Sequence, residues 1–410
     1  MTAKACRFCE TPLRESFADL GMTPLSNSFI AVKKASAMEP FFPLHAWVCS
    51  ACRLVQLEDF ESPQHIFSDY IYFSSYSESW LRHAEAYAEA MTQRFSLTDR
   101  STVVEIASND GYLLQYFQRR GVQVLGVEPA VNVAAVAAKK GVRTEVAFFG
   151  EATARRLKAA GVAPDLIAAN NVLAHVPDIN DFVEGFAVLL KPDGAVTVEF
   201  PHLLRLMQET QFDTIYHEHF SYLSLHVVQR IFARHAMRVF DVEQLRTHGG
   251  SLRVFIGHAG SGHAETDAVA TVLHAEQEAG LETDEAYRRF ARQVIETKCA
   301  LLRFLVDARA AGKTVAAYGA PAKGNTLLNY CGVGPELVAY TVDRSPYKQG
   351  MLLPGTRIPV YAPDMIMATK PDYVLILPWN LQDEVTAQMA QVRNWGGQFV
   401  VPIPTVRILP

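Results

Sequence analysis

Only six cysteines occur in the 410 residues, and the two beyond residue 52, Cys299 and Cys331, follow no pattern. A secreted disulfide framework needs regularly paired cysteines behind a leader, and no charged segment followed by an apolar one opens this chain. A reducing, cytoplasmic setting is therefore expected. No uninterrupted apolar run approaches the roughly 18 residues of a membrane span, which excludes a membrane partner. Positive charge is not in excess either: 38 Lys and Arg stand against 43 Asp and Glu, for a net charge of −5 with the signs interspersed. Nucleic-acid binders cluster Lys and Arg on one face, so no nucleic-acid partner is expected. Low-complexity tracts and short-period repeats are missing, and so is a G-x-G-x-x-G turn. What remains is a globular chain, 49% hydrophobic, long enough for two or three cores.

The cysteines that do show a pattern are Cys6-Arg-Phe-Cys9 and Cys49-Ser-Ala-Cys52. Each C-x-x-C sets two thiolates on one tight turn, and two such turns close a tetrahedron around Zn2+. Residues 10–48 between the pairs form a longer gap than a zinc ribbon needs, so that stretch must carry structure of its own. Four thiolates leave no open coordination position, so the zinc is structural. Disulfides are the rival pairing.

From residue 102 apolar β-rich runs alternate with amphipathic helical ones: strands are expected at 103–106, 123–127, 166–169 and 195–200, after a helix over 77–95. A mostly helical bridge at 264–311 separates them from a second series, 314–318, 337–342 and 373–377. Alternation of this kind predicts parallel βαβ units and two α/β halves. The division expected is a zinc-binding segment 1–73, a central domain 74–263 and a second Rossmann-like domain 264–410.

The first strand leads into Ala107-Ser108-Asn109-Asp110-Gly111, and the second ends in Glu128-Pro129. An acidic residue about twenty positions after the first turn reaches ribose hydroxyls at the carboxyl ends of the strands. Glu128 fills that place. With one glycine in the turn, close approach of a pyrophosphate is disfavoured, and a ribose cofactor without phosphate fits better. S-adenosyl-L-methionine is such a cofactor, with Asp110 placed for its cationic amino-acid end. The turn Lys191-Pro192-Asp193-Gly194 before the 195–200 strand, and Asn170-Asn171 after the fourth, follow the order of class I methyltransferases. The cofactor set is thus Glu105, Asn109, Asp110, Gly111, Glu128, Pro129, Phe148, Asn170 and Asn171.

The chain as a whole resembles the sugar C-methyltransferases, the enzymes of tetronitrose, mycarose and noviose pathways. The resemblance rests on the cysteine pairs with 52–57, on Glu105-Ile106 with Asn109-Asp110-Gly111, and on Ile215-Tyr216-His217-Glu218-His219-Phe220. It continues through His248-Gly249-Gly250-Ser251-Leu252-Arg253, Tyr318-Gly319-Ala320-Pro321-Ala322-Lys323-Gly324-Asn325 and 343–350. It implies a class I methyltransferase Rossmann-like domain, flanked by an N-terminal zinc module and a C-terminal Rossmann-like α/β domain that helps to hold a nucleotide-sugar. Ala107 departs from the glycine common at that place in the family.

Methylating carbon requires a carbanion equivalent. For a ketosugar that means a base for the proton α to the carbonyl and a donor for the enolate oxygen. Tyr216-His217-Glu218-His219 offers both. A helical segment would put Tyr216 and His219 on one face, an extended one Tyr216 and Glu218. The resemblance implies His219 as general base, Glu218 as its orienter or a sugar contact, Tyr216 as enolate donor, and Tyr72 as a second active-site tyrosine. His175 is a further candidate. In the C-terminal half the small-residue turn at 319–324 lets a phosphate approach a helix N-terminus. Lys323, Asn325, Asp343, Lys348, Trp379 and Asn380 are the candidate substrate contacts, with packing alone as the competing role.

The expected activity is S-adenosylmethionine-dependent C-methylation, at C3 of a dTDP-linked 4-keto-deoxysugar, by a monomer or weak homo-oligomer. The alternatives are an O- or N-methyltransferase of another small metabolite, or a zinc-containing interaction protein without catalysis.

Overall fold

In the computed structural model, which describes residues 4–60, 74–76 and 78–409, the sequence order of the chain is not its spatial order. Two compact units interleave: Met1–Leu13, Cys49–Leu203 and Phe220–Glu282 form the first, and Arg14–Val48, Leu204–His219 and Thr283–Pro410 the second.

The first unit is built on seven strands: β1 (Thr102–Ile106), β2 (Gln123–Val127), β3 (Thr144–Glu145), β4 (Leu166–Asn170), β5 (Ala195–Pro201), β6 (Met237–Leu245) and β7 (Ser251–His258). Their order across the sheet is β6-β7-β5-β4-β1-β2-β3. The five strands from β5 to β3 are parallel, while β7 runs antiparallel to both β5 and β6. Strand residues alternate between two cores. Val104, Ile106, Ile167, Ala169, Val196 and Val198 face one, and Val103, Leu166, Ala168 and Ala195 face the other. A sheet covered on both faces needs near-continuous apolar strands, which is how these strands read. This is the doubly wound methyltransferase topology, with the strand order reversing between β1 and β4.

Helix α1 (Glu78–Arg94) precedes the sheet, α2 (Leu114–Gln118) and α3 (Val131–Lys139) follow β1 and β2, and α4 (Glu151–Ala159) precedes β4. Gly126 admits the cofactor-side turn: a Cβ there would lie 2.3 Å from Ser108 Oγ.

The second unit carries a parallel sheet of its own. Its strands are β8 (Val315–Tyr318), β9 (Thr341–Val342), β10 (Val360–Tyr361), β11 (Tyr373–Ile376), β12 (Gln398–Val401) and the antiparallel β13 (Arg407–Leu409), in the order β10-β9-β8-β11-β12-β13. The order reverses at β8 and β11. The strand expected over 337–342 shrinks to two residues, because Leu337 and Val338 turn back to donate to the Gly334 carbonyl. The helical bridge is two helices, Asp267–Glu278 and Asp284–Ala310, separated by Gly280 at φ 83°. Helix α5 (Ala322–Cys331) starts after Pro321 and stops at Gly332 in the left-handed region, the usual proline-in, glycine-out punctuation. The antiparallel pair Glu15–Thr23 and Phe42–Val48 also belongs to this unit.

Candidate functional site

The four N-terminal cysteines converge. Their sulfurs all lie within 4.8 Å of one another, and Cys6 with Cys52, and Cys9 with Cys49, are each 3.5 Å apart, with no disulfide. Both C-x-x-C turns have one construction. Glu10 N donates to Cys6 O and Arg53 N to Cys49 O, and Glu10 and Arg53 both take left-handed φ, 64° and 66°. Gln56 Nε2 donates to Cys6 Sγ at 3.1 Å. Four soft sulfurs in a mostly buried, tetrahedral-scale cluster, one of them accepting from the Gln56 amide, fit Zn2+. The turn is tied down nearby: Arg7 Nη1 donates to Pro177 O at 2.6 Å and Asn180 Nδ2 to Phe8 O at 3.0 Å.

At the carboxyl end of β1 the chain bends through three left-handed residues, Ala107 (φ 55°), Asn109 (48°) and Gly111 (75°). Two of them have side chains, at roughly 1–3 kcal/mol of strain each. The turn therefore adopts a glycine-type path with one glycine. Glu128 holds it: Asn109 N donates to Glu128 Oε2 and Ala130 N to Oε1, both at 2.9 Å. Burial pushes the Glu128 carboxyl up, against those two bonds. Glu105 is fully buried, and desolvation drives its carboxyl well above the usual range, with a Tyr112 hydrogen bond opposing. Asp110 Oδ2 pairs with Lys140 Nζ at 3.0 Å, and Lys140 also donates to Ser75 Oγ at 2.6 Å. Ser74 N donates to Asn109 Oδ1 at 2.9 Å. Lys140 carried no sequence signal, being one of two lysines at a helix end.

Asn170 closes β4, and Asn171, also left-handed at φ 54°, donates its N–H to Glu199 O at 2.7 Å. Asp110 Oδ1, Asn170 Oδ1 and Asn171 Nδ2 are buried with no hydrogen-bond partner among the described residues. Unsatisfied polar atoms at the ends of β1 and β4 fit a polar cofactor with an amino-acid end. Pro129 follows Glu128, Phe148 is partly exposed ahead of α4, and His175 ends a short 3-10 turn, Leu173–His175. Sequence reasoning passed over Glu199 on β5. It is buried beside Arg253 (2.6 Å) and His83 (3.0 Å). Burial opposes its charge, but His83 and the guanidinium outweigh it and hold the carboxyl below its ordinary range.

Tyr216–His219 belongs to the second unit. The segment is neither helix nor strand but a turn, closed by His219 N donating to Tyr216 O at 2.9 Å, with the two rings 4.0 Å apart. His219 Nδ1 lies 3.0 Å from the Thr214 carbonyl. A carbonyl only accepts, so Nδ1 carries the proton and the lone pair sits on Nε2. The orienter expected from sequence was Glu218. The Nδ1 proton instead meets main chain, and Glu218 Oε1 accepts from Asn27 Nδ2 at 2.7 Å, its carboxyl pushed up by burial. His217 donates from Nε2 to Pro43 O at 3.1 Å, and burial depresses its imidazole. The turn thus parts the cluster into an oriented imidazole with a phenol beside it, and two residues bonded to the 26–43 region. Tyr72 lies outside the described residues.

At the reversal of the second sheet, Lys323 Nζ sits 4.2 Å from the Trp379 ring centroid and donates to Asn380 Oδ1. Burial depresses Lys323, with Asp213 opposing. Asp343 accepts from Ala320 N and Ser345 N, both at 2.8 Å, and Lys348 Nζ donates to Ala320 O at 2.8 Å. Asn325 is held at the start of α5, its Oδ1 buried without a hydrogen-bond partner among the described residues. It is 1% exposed and donates to Ser26 O at 2.6 Å.

Three family models match the chain: a zinc binding domain at residues 6–67, a methyltransferase domain at 80–239 and a C-methyltransferase C-terminal domain at 246–404. The C-methyltransferase NovU of Streptomyces niveus is 37% identical over 404 residues, which is 98% of this chain and 96% of that protein. Among solved structures, an S-adenosylmethionine-dependent methyltransferase of Clostridium acetobutylicum matches 43% of this chain and 92% of its own, at 10% identity and a TM-score of 0.36. Magnesium protoporphyrin IX methyltransferase of Synechocystis matches 43% and 78%, at 12% identity and a TM-score of 0.33.

Proposed function

The chain belongs to the sugar C-methyltransferase family, and from that premise we propose that it methylates C3 of a nucleoside-diphosphate 4-keto-deoxysugar, dTDP-linked, using S-adenosylmethionine. The observation that carries this reading is the His219 tautomer. A neutral imidazole whose Nδ1 proton is held by a fixed carbonyl has its basic lone pair on Nε2. A proton α to a ketone calls for such a group.

When bound, S-adenosylmethionine supplies an electrophilic methyl group on a sulfonium. In the first unit Glu128, Asn109, Asp110, Asn170 and Asn171 would hold it, with Glu105 and Phe148 behind them. In the second, His219 Nε2 takes the proton from C3. The electron pair of that C–H bond becomes the enolate, whose oxygen accepts from the Tyr216 hydroxyl. The new carbon–carbon bond would form as the methyl–sulfur bond breaks, that pair staying on sulfur as a neutral thioether, and His219 would leave the step as imidazolium, still donating from Nδ1 to Thr214. Lys323, Trp379 and Asn380 would meet the nucleotide end, with Asp343 and Lys348 shaping the loop beside them. Tyr72 and His175 remain candidate catalytic residues.

Incubation with a panel of 4-keto nucleotide-sugars and labelled cofactor tests the reading. The expected product carries its new methyl on carbon by 13C NMR. A methyl bonded to oxygen or nitrogen would overturn it.

A further inference from the structure

The base is held by main chain, so what holds that main chain becomes part of the machinery. Thr214 ends the short 3-10 turn Phe212–Thr214. The middle residue of that turn, Asp213, is fully buried. Its Oδ2 accepts from the Trp379 indole Nε1 at 2.7 Å. Its Oδ1 has no hydrogen-bond partner among the described residues, and the Lys323 ammonium favours the charged form of Asp213 through space. A carboxylate buried on one side-chain hydrogen bond, even with a lysine nearby, is a costly way to fill a core, where an apolar residue would cost less. Ile215, on the other side of Thr214, is fastened too: Thr326 Oγ1, from the first half of α5, donates to Ile215 O at 3.1 Å. Two bonds, on Asp213 and on Ile215, therefore flank the Thr214 carbonyl, and each comes from an element at the carboxyl ends of β8 and β11.

We propose that Asp213 and Trp379 are a positioning pair for His219: the indole hydrogen bond fixes the turn whose Thr214 carbonyl holds the Nδ1 proton, and so keeps the base in its productive tautomer. The pair touches no reacting atom. It works through an acceptor at position 213, since the indole N–H bonds an amide oxygen as well as a carboxylate oxygen, while the Lys323 charge acts on Asp213 without bonding to it. The inference rests on His219 being the base, but its first readout does not.

The experiment uses the full chain with 15N-labelled histidine, His219 being identified by the signal missing from His219→Asn. Three variants are compared. Trp379→Phe keeps the ring and removes the N–H, Asp213→Ala removes the acceptor, and Asp213→Asn keeps an acceptor without the charge. In the parent, His219 Nδ1 gives the signal of a protonated ring nitrogen. In Trp379→Phe and Asp213→Ala it moves toward an average of both tautomers, while Asp213→Asn stays like the parent. Deuterium exchange at the acidic carbon of a 4-keto nucleotide-sugar falls about tenfold or more in the first two, and in Asp213→Ala, at a residue not placed against the nucleotide, KM stays within about twofold, because a misplaced base costs rate and not binding. Thermal melting checks folding, and Asp213→Asn keeps the test decisive if a harsher variant fails to fold. Unchanged His219 signals in folded Trp379→Phe and Asp213→Ala would overturn the proposal. So would a loss in Asp213→Asn equal to that in Asp213→Ala. A parent that exchanges no keto-sugar would instead refute the proposed function and leave the nitrogen signals to decide this inference.

Discussion

At the scale of single residues, His219 and Asp213 show how one short segment divides its work. His219→Asn removes the lone pair at Nε2 and leaves an amide able to occupy part of the space. Methyl transfer should fall by about 10²–10⁴-fold, with cofactor binding by calorimetry unchanged. Tyr216→Phe should lose less, about 10-fold to 100-fold in kcat, since one enolate donor is removed. Asp213 is also a stability probe. Burial pushes its carboxyl up to about 6, from an ordinary 3.8. The folded chain therefore holds that proton over a range, about pH 4 to 6, in which the unfolded chain has released it. The stabilisation is full below pH 4 and is lost as pH rises through 6. Asp213→Asn removes this dependence, and chemical denaturation should show it more stable than the parent by roughly 1–3 kcal/mol at pH 8, the gap closing below pH 4. The residues that matter here were only partly legible. A tyrosine, two histidines and a glutamate in a row advertise acid-base chemistry, and Glu218 was the natural partner for His219. The actual acceptor is a main-chain carbonyl, which every residue has and no side chain announces. Asp213 and Lys140 were silent for a related reason: their meaning lies in partners far along the chain.

The elements were easier to read than their ends. Valine-rich strands separated by amphipathic helices dictated βαβ units, and paired C-x-x-C turns dictated a metal-scale cluster, because both patterns are local. The 216–219 segment fits neither the helical nor the extended period, since a closing turn has no periodicity to display. The cofactor turn shows the same limit. Its sequence lacks the glycines of such a turn, yet Ala107 and Asn109 take left-handed φ at 55° and 48°. Ala107→Gly should relieve that strain and raise stability by about 0.5–1 kcal/mol in denaturant titrations, with cofactor affinity retained. A loss of stability would show that the turn is unstrained. The zinc turns make a matching prediction. Elemental analysis should find about one Zn2+ per chain, and Cys49→Ser should abolish it and lower the melting temperature, as structural sites contribute folding energy directly.

Taken whole, the molecule is two α/β units whose sequence segments interleave, each with its own point of strand-order reversal and its own set of polar residues there. Alternation alone could count the two sheets but could not show that 14–48 and 204–219 fold with the C-terminal one. Those assignments depend on long-range bonds such as Asn325 to Ser26 and Thr326 to Ile215. The account's central claim is that carbon is made nucleophilic by an imidazole whose orientation the second unit sets. The most direct measurement is deuterium uptake from D2O at C3 of a 4-keto nucleotide-sugar, with the parent chain and with His219→Asn. The account predicts uptake by the parent and none above background for the variant. Undiminished uptake by His219→Asn would contradict it.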